Sequence, residues 1–297
     1  MPSAKFKNQF HLHFLVFLAG FTAILGELIS LEAIPLVWYR MVIAGVLMFV
    51  FIKIKGINLS VSPKTLFRFS LAGIIIALHW ITFFASIKVA NISIALAMFS
   101  TGAFFASLIE PIFYKRKIII YELFFGLLVI LGIFLIMQTE LHYFFGIILG
   151  ILSALFSSLF AVLNGKFVAQ YNASTISFYE FVSGVVFISI FLCFSSDGFN
   201  QEFFSLSASD WGYLFILASV CTAYAFIASV HVMKYITPYS VVLTYNLEPI
   251  YGIVLALLLF PESETMSASF YIGASLIIST LILNAFFKQK ATKSNSD

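Results

Sequence analysis

Charged side chains are scarce in this sequence of 297 residues. They make up 10% of the residues, while 62% are hydrophobic and the mean hydropathy is +1.06. An ordinary soluble domain has roughly 25% charged residues. So few charges cannot cover the surface of a soluble globule without leaving large apolar patches that aggregate. The composition therefore excludes a water-soluble fold and indicates that lipid surrounds much of the chain.

Cysteines are also few, and the motifs of metal- and nucleotide-dependent enzymes are missing. Cys193 and Cys221 lie within apolar runs, so they provide neither a disulfide framework nor the spacing of a zinc site. The sequence contains no His-Glu-x-x-His motif, no Gly-x-Ser-x-Gly motif and no phosphate-binding Gly-x-x-x-x-Gly-Lys-Ser/Thr loop. We therefore expect no metal, no cofactor, no direct use of ATP and no enzymatic activity. A polytopic membrane enzyme is the less favoured alternative.

What the sequence does have is ten long apolar runs. A helix that crosses a bilayer needs about 20 mostly apolar residues, and each run is close to that length. Ten such helices and their short loops use nearly the whole chain, so we expect no soluble domain. The predicted spans are residues 13–29, 35–52, 70–89, 92–109, 118–137, 146–167, 174–194, 213–231, 239–260 and 269–287.

Basic residues are distributed unevenly between the loops. With a cytoplasmic amino terminus, fourteen of the 16 lysines and arginines fall on the cytoplasmic side, Arg40 lies inside a span, and Lys88 alone lies in an outer loop. This asymmetry follows the positive-inside rule. We therefore predict a multi-pass protein of the cell inner membrane with both termini in the cytoplasm. Because the basic residues form no single patch or stripe, we expect no nucleic-acid partner.

The chain also carries a weak internal repeat. Residues 87–92, before the fourth span, resemble residues 233–238, before the ninth, at an offset of 146. The Tyr-Arg pair at 39–40 aligns with the Tyr-Glu pair at 179–180 at an offset of 140. Each match is short, but the matches agree in their order along the chain. This agreement indicates that two halves of the sequence are related.

Two repeats of five spans each must enter the membrane with opposite orientations, because five is an odd number. We therefore predict an all-α integral membrane fold with ten transmembrane helices, arranged as two inverted five-helix repeats that cover residues 1–140 and 141–297. Inverted repeats build many secondary transporters, whose substrate site lies near the midplane between the halves. The alternative is a gene duplication retained only for folding, and channels and flippases share the architecture.

Short motifs relate the chain to one transporter family. They are Tyr-Arg at 39–40, Asn-Leu-Glu-Pro at 246–249, Phe-Pro-Glu at 260–262 and Gly273 in the tenth span. With the two five-helix halves, they make the chain resemble an EamA-type permease of the drug/metabolite transporter superfamily. The resemblance implies a central cavity formed mainly by helices other than the fifth and tenth, which often mediate dimer contacts. Members of this superfamily export or import amino acids, metabolites, sugars and drugs.

Arg40 and Glu180 are repeat-related charges inside predicted spans. An ionisable side chain within the bilayer costs a few kcal/mol or more unless it is paired or hydrated, so such residues are functional candidates. Arg40 lies partway in from the outer face and Glu180 lies at a corresponding depth from the inner face. We predict a gating or coupling role, in which they alternately anchor substrate or pair across gates. A fixed salt bridge with another span is the alternative.

Three residues near the membrane midplane are predicted to line a substrate cavity. His79 and Trp80 lie in the middle of the third span, and Tyr224 lies at a similar depth in the eighth. Aromatic and imidazole rings at this depth suit a wall that stacks on an organic substrate and offers it a few polar contacts. The alternative for His79 is a buried packing residue with satisfied hydrogen bonds.

Polar side chains also stand just before Pro249 in the ninth span. Proline removes a backbone donor, so we predict a kink there and substrate-binding roles for Tyr245, Asn246 and Glu248. Glu248 is the first choice for a contact with a substrate ammonium group or for carrying a coupling proton. The alternative is a protonated carboxyl group that bonds to a neighbouring helix. Asn164, in the sixth span, is also predicted to reach the cavity.

These observations predict a secondary transporter of small organic molecules, such as amino acids or related metabolites. We expect it to work by alternating access across the inner membrane, either coupled to protons or by facilitated transport, with export as the favoured direction. The expected partners are the small-molecule substrate, the lipid bilayer and a second copy of the chain in a homodimer. The alternatives are a lipid flippase and, less favoured, a polytopic membrane enzyme.

Overall fold

A computed structural model describes residues 4–115, 117, 119–195, 198–232, 244–245 and 247–294. Within these residues all regular secondary structure is helical. A 3₁₀ turn (Leu141–Tyr143) precedes α7, and a π-helical turn (Ser219–Tyr224) joins α10 to α11. The α-helices are α1 (Ala4–Leu28), α2 (Ala33–Lys55), α3 (Pro63–Val89), α4 (Ile92–Phe99), α5 (Gly102–Tyr114), α6 (Ile120–Thr139), α7 (Phe144–Phe167), α8 (Ala173–Phe194), α9 (Gln201–Phe204), α10 (Ala208–Ala218), α11 (Ala225–Val232), α12 (Glu248–Leu259), α13 (Pro261–Glu264) and α14 (Ala268–Ser294).

Eight of the described helical segments are long and apolar enough to cross a membrane, judged by length and composition. They coincide with the first eight predicted spans, and the prediction is confirmed to that extent. In place of the ninth and tenth predicted spans, the described residues form the shorter apolar helices Glu248–Leu259 and Ala268–Asn284. Residues 239–243 and 246 of the ninth predicted span lie outside the described residues. The protein is therefore an all-helical membrane protein in the part that the structure describes.

A capped break separates α3 from α4, where the sequence offers only Ala90 and Asn91. The Asn91 side chain accepts a hydrogen bond from the Ile94 backbone N–H at 2.8 Å, which satisfies one of the free donors at the start of α4. Beside it, the Lys88 ammonium group donates to the Ile29 carbonyl at 2.6 Å, just after the end of α1. The basic residue predicted for an outer loop thus binds a helix end.

Three predicted spans depart locally from a regular α-helix. The fourth is divided into α4 and α5, and the eighth contains the π-helical turn Ser219–Tyr224. In the ninth, α12 begins at Glu248, so Pro249 stands in the first helical turn. A proline at that position loses no helical hydrogen bond, because the first backbone N–H groups of a helix have no partner within it. Instead of the predicted kink in a continuous helix, Pro249 therefore marks the start of one.

Helices of the two predicted halves pack directly against one another. α3 packs against α7 and α8, α2 packs against α8, and α1 packs against α12. The backbones of α3 and α8 approach closely at Gly73, where an added methyl group would lie 2.4 Å from the carbonyl oxygen of Glu180. Only glycine fits this crossing without a shift of backbone, so the two halves are in close contact there.

One side of the molecule presents an apolar surface. α6 and α14 pack against each other there, and the outer faces of both helices carry exposed large hydrophobic side chains. An exposed surface of this kind suits lipid and not water. The side chains include Ile120, Phe124, Leu127, Ile130 and Phe134 of α6 and Ile272, Leu283 and Phe286 of α14.

Two buried carboxylates from the second half bind the first half at the predicted outer ends of the helices. Asp210 accepts hydrogen bonds from the backbone N–H of Ser30 at 2.7 Å and from its hydroxyl at 2.8 Å. Glu264 accepts hydrogen bonds from the backbone N–H groups of Ile92 at 2.9 Å and Ser93 at 2.8 Å. A carboxylate at the N-terminus of α4 satisfies free donors and interacts favourably with the helix dipole. These contacts join the two halves.

Candidate functional site

Arg40 of α2 lies at the centre of a polar cluster and is only 4% exposed. Its Nε donates to the hydroxyl of Thr222 at 2.9 Å, and that hydroxyl donates to the Leu217 carbonyl at 2.8 Å. The guanidinium carbon lies 4.0 Å from the centroid of the Trp80 ring and 5.6 Å from that of the Phe84 ring. Cations over aromatic faces at such distances are attracted to the rings. One hydroxyl group and two aromatic faces therefore position the charge.

The π-helical turn explains how Thr222 reaches Arg40. Such a turn holds one more residue than an α-helical turn, and it is frequent at functional sites. The Thr222 hydroxyl donates to the carbonyl of Leu217, five residues earlier, whereas in a regular helix the acceptor is three or four residues earlier. The widened turn therefore turns Thr222 toward α2.

The guanidinium group of Arg40 is only partly satisfied. Its Nη1 is buried and has no hydrogen-bond partner among the described residues. Arg40 interacts electrostatically with Glu248, the first residue of α12. The Cys221 thiol lies near Arg40 and hydrogen-bonds to Thr22 of α1. Between Arg40 and Glu248, both of which the structure describes, there is no direct ion pair. An unpartnered donor on a buried charge is costly, which makes Arg40 a candidate for binding a ligand carboxylate.

We call Arg40, Trp80, Thr222 and Glu248 the arginine site. Its residues come from α2, α3, the π-helical turn and α12, so both predicted halves contribute to it. Arg40 and Glu248 interact electrostatically without forming a direct ion pair. Such an arrangement can bind a small molecule that carries both a carboxylate and an ammonium group.

A second buried charge lies on α8. Glu180 is 0% exposed, and its Oε1 accepts a hydrogen bond from the Asn164 amide nitrogen at 2.8 Å. Its Oε2 is buried without a partner in the described part of the chain. The same amide nitrogen also lies 3.4 Å from the Phe160 carbonyl oxygen. Because both neighbours on this side of the amide are hydrogen-bond acceptors, the atom that faces them is the nitrogen and not the oxygen. We call Glu180 and Asn164 the glutamate site.

The two sites are related by the geometry of α2 and α8. Arg40 is seven residues from the start of α2 at Ala33, and Glu180 is seven residues from the start of α8 at Ala173. The helices are antiparallel, because Trp38 near the start of α2 donates to Ser189 near the end of α8 at 2.8 Å. The two charges therefore lie at equivalent depths from opposite ends of the helix pair.

An aromatic contact connects the sites. The Trp80 ring, which holds the Arg40 guanidinium group, has its centroid 5.9 Å from that of Phe181. Phe181 is the next residue after Glu180. One pair of aromatic rings thus connects two ionisable side chains whose hydrogen bonding is incomplete, and among the described residues neither Arg40 nor Glu180 forms a salt bridge with another span.

The structure shows no direct contact of His79 with Arg40 or Glu180 among the described residues. Its Nδ1 lies 2.9 Å from the hydroxyl and 3.0 Å from the carbonyl of Ser153 on α7, and its ring stacks on that of Phe99. The side chain is 7% exposed. This geometry favours the packing interpretation, in which His79 joins α3 to α7, and its substrate-binding role stays a prediction.

The remaining predicted residues are dispersed. Tyr224 is 42% exposed and its hydroxyl lies 2.7 Å from Nε2 of His11, on the outside of the arginine site. The Tyr245 hydroxyl lies 2.6 Å from that of Ser229 on α11. Asn246 lies outside the described residues. The structure thus unites Arg40 and Trp80 with Glu248, and Glu180 with Asn164.

Thr222, Cys221 and Thr22 are contacts of the site that the sequence did not reveal. Hydroxyl and thiol groups are common in transmembrane helices and carry no charge to mark them. The run of small residues at 219–223 in the eighth span is the one signal near them. The π-helical turn that aims Thr222 depends on contacts with other helices, so sequence periodicity alone does not indicate it.

A model of the EamA-like transporter family matches residues 11–138 and 144–286. The chain belongs to the EamA-like transporter family. The resemblance predicted from the short motifs is thereby confirmed. Members of this family are membrane transporters of small molecules and not enzymes, and this EamA-like transporter is a multi-pass membrane protein.

Solved structures include one whose fold is similar to that of this EamA-like transporter. A crystal structure described only as that of a protein has a TM-score of 0.64 and 14% sequence identity, and the match covers 94% of this chain and 97% of that chain. At this identity the likeness shows the fold alone. A search among curated proteins found no match.

Proposed function

We propose that this EamA-like transporter is a secondary transporter that carries amino acids or related zwitterionic metabolites across the inner membrane by alternating access, with export as its direction. The observation that carries the proposal is the buried, unpartnered Nη1 of Arg40 opposite Glu248. A substrate carboxylate completes the hydrogen bonding of the guanidinium group, and a substrate ammonium group binds the Glu248 carboxylate. Charge-assisted hydrogen bonds of this kind are stronger than neutral ones.

Trp80 and Thr222 prepare the arginine site for such a substrate. Stacking on Trp80 and the bond from Nε to Thr222 hold the guanidinium plane and leave Nη1 available. Because Arg40 is held before the substrate binds, little side-chain entropy is lost on binding. Phe84 and Trp80 supply an apolar wall for the part of the substrate that carries no charge.

The proposal includes the ten-helix architecture of two inverted repeats, residues 1–140 and 141–297. Its support is that the family model matches the chain in two ranges, one in each half. The antiparallel packing of α2 on α8 also agrees with two halves of opposite orientation. A site built from both halves is where inverted-repeat transporters bind substrate. Both termini are proposed to be cytoplasmic.

The test is a counterflow assay with the purified protein in liposomes. The panel contains amino acids, the corresponding amines without a carboxylate, the corresponding acids without an ammonium group, and a fluorescent phospholipid as a flippase substrate. We expect exchange of one or more zwitterions and a loss of about 10- to 100-fold in Arg40→Ala, since a hydrogen bond to a charged group contributes about 1.5–3 kcal/mol. Arg68→Ala, on the exposed surface of α3, is the matched control.

The outcomes separate the alternatives. Exchange of the amines or acids as fast as the zwitterions would contradict two-point recognition by Arg40 and Glu248. Wild-type exchange by Arg40→Ala would remove the arginine site from the transport path. Phospholipid translocation without exchange of any small molecule would replace the proposal by a flippase function.

A further inference from the structure

We infer that Glu180 binds and releases the proton that couples this transporter to a pH gradient, with Asn164 as its positioning residue. The inference rests on the proposed transport function and extends it to the energy source. From the sequence, Glu248 is the first choice for carrying a coupling proton, and Glu180 is predicted, with Arg40, to have a gating or coupling role. Glu248 interacts with Arg40, whereas Glu180 has a neutral amide as its contact and no described countercharge.

The surroundings of Glu180 favour a neutral side chain in this conformation. The residue is 0% exposed, one carboxyl oxygen has no partner in the described part of the chain, and the other has one neutral donor. A carboxylate buried without water or a countercharge is strongly disfavoured, and a bound proton removes the charge. This conformation therefore fits the protonated form of Glu180.

The described residues of α2, α3 and α11, which pack against α8, supply no countercharge to Glu180. None of the titratable side chains there interacts electrostatically with Glu180, and the described side chains of α11 are uncharged. Five titratable side chains lie close in the sequence to residues that contact Glu180 or its neighbours. They are Arg40 on α2, Arg68 and His79 on α3, Lys166 on α7, and Tyr179 on α8 itself.

These side chains are occupied by other partners or by solvent. Lys166 donates to the Phe113 carbonyl at 2.6 Å, and Tyr179 donates to the Leu59 carbonyl at 2.7 Å. Arg68 is exposed. With His79 bound to Ser153 and Arg40 bound to Thr222, none of the five neutralises Glu180.

The position of Glu180 connects its protonation to movement of the two halves. Its backbone lies at the crossing of α3, from the first half, and α8, from the second, where Gly73 permits close contact. Water cannot reach the carboxyl group while this crossing is closed. When the halves separate and water enters, the O–H bond breaks, the electron pair stays on the carboxylate oxygen and the proton passes to water. The crossing closes again only after a proton returns.

The chemistry of the site favours a proton over a metal cation. The hydrogen-bond partner of the Glu180 carboxyl group is the amide nitrogen of Asn164. This nitrogen is a hydrogen-bond donor, so it repels a metal ion. Ser70 and Ser183, on the same faces of α3 and α8, bond to each other at 2.9 Å. A sodium ion needs several oxygen ligands, whereas a proton needs one lone pair.

The experiment uses the full chain in liposomes, with a substrate found by counterflow. Transport is measured with equal pH on both sides and with an imposed pH gradient, and an enclosed pH-sensitive dye records proton movement. We expect a pH gradient to drive accumulation in the wild type. In Glu180→Gln, gradient-driven accumulation and substrate-dependent proton flux are lost relative to exchange at equal pH. Glu32→Gln, at an exposed position before α2, retains both.

A second variant keeps the inference testable if Glu180→Gln folds poorly. Asn164→Ala leaves the carboxyl group in place and removes the one donor that favours its charged form. We expect it to retain proton flux and to shift the pH of half-maximal gradient-driven transport upward. An unchanged pH profile in Asn164→Ala would overturn the positioning role.

The remaining outcomes separate this inference from the proposed function. Gradient-driven accumulation by Glu180→Gln, wild-type transport that ignores the pH gradient, or accumulation driven by a sodium gradient would each overturn the proton site while amino-acid exchange stands. Absence of exchange of every panel compound by the wild type would instead overturn the proposed function.

Discussion

Buried ionisable side chains at the helix ends differ in their hydrogen bonding from those in the middle of the molecule. At the ends, both carboxylate oxygens of Asp210 and of Glu264 accept hydrogen bonds, which come from Ser30 and Ser207 and from the start of α4. In the middle, Arg40 and Glu180 each leave one buried polar atom without a partner in the part of the chain that is described.

The difference indicates what each pair of charges does. A fully bonded carboxylate at a helix N-terminus stabilises the helix and joins the elements that it connects. A buried charge with an unpartnered atom lowers the stability of the empty protein, so its retention favours a role in binding. We therefore interpret the end pair as structural and propose that the middle pair takes part in the transport cycle.

The largest effect on stability is expected from Glu264→Ala. The change removes two hydrogen bonds to a charged group, each contributing about 1.5–3 kcal/mol, so the free energy of unfolding should fall by about 3 kcal/mol or more. Exchange per folded molecule should stay within about threefold of the wild type. Thermal unfolding in mild detergent and counterflow measure the two quantities. Glu262→Ala, at an exposed position in the same short helix, is the control.

Gly73→Ala should have the next largest effect and should lower both stability and transport. The added methyl group would lie 2.4 Å from the Glu180 carbonyl oxygen, and such overpacking costs about 1–3 kcal/mol. The same two assays apply. Gly212→Ala is the matched control, because nothing lies within 4 Å of the added methyl group there. Equal behaviour of the two variants would contradict the tight crossing of α3 and α8.

Arg40→Lys should leave stability nearly unchanged and lower exchange about tenfold, which corresponds to about 1.4 kcal/mol. Lysine keeps the charge but cannot stack its planar group on Trp80 while it binds Thr222 and a carboxylate. Counterflow rates normalised to folded protein measure the effect, with Arg68→Lys as the control. Full activity in Arg40→Lys would show that charge alone suffices and that the fork geometry does not matter.

Tyr224→Phe should have the smallest effect. It removes one exposed hydrogen bond, to His11, and surface substitutions of this kind change stability by less than about 0.5 kcal/mol. Exchange should stay within about twofold of the wild type. A tenfold loss in counterflow would instead support the cavity-lining role that the sequence predicts for Tyr224.

The sequence predicted the features that depend on charge and on local caps. Arg40 and Glu180 stand out because charges are rare inside apolar runs. The fold places them at equivalent depths from opposite ends of the α2 and α8 pair, as their repeat positions suggest. The hairpin at Ala90 and Asn91 was predictable because asparagine caps the start of α4 through its own side chain.

The features that the sequence did not predict depend on contacts between distant elements. The π-helical turn changes which way the residues of the eighth span face. Tyr224 is exposed and bonds to His11, so its grouping with His79 by depth stays a prediction. Thr222 carries no charge that could mark it. The close packing of α1 against α12 at Gly20 and Gly252 joins elements that are far apart in the sequence, and no local pattern shows it.

Recognition of a substrate carboxylate by Arg40 is tested most directly by one comparison of affinities. Binding of an exchanged amino acid and of its carboxamide is measured to wild-type protein and to Arg40→Ala. The arginine site predicts that the wild type prefers the free carboxylate by about tenfold or more and that the preference falls to about one in the variant. An equal preference in both proteins would contradict carboxylate binding by Arg40.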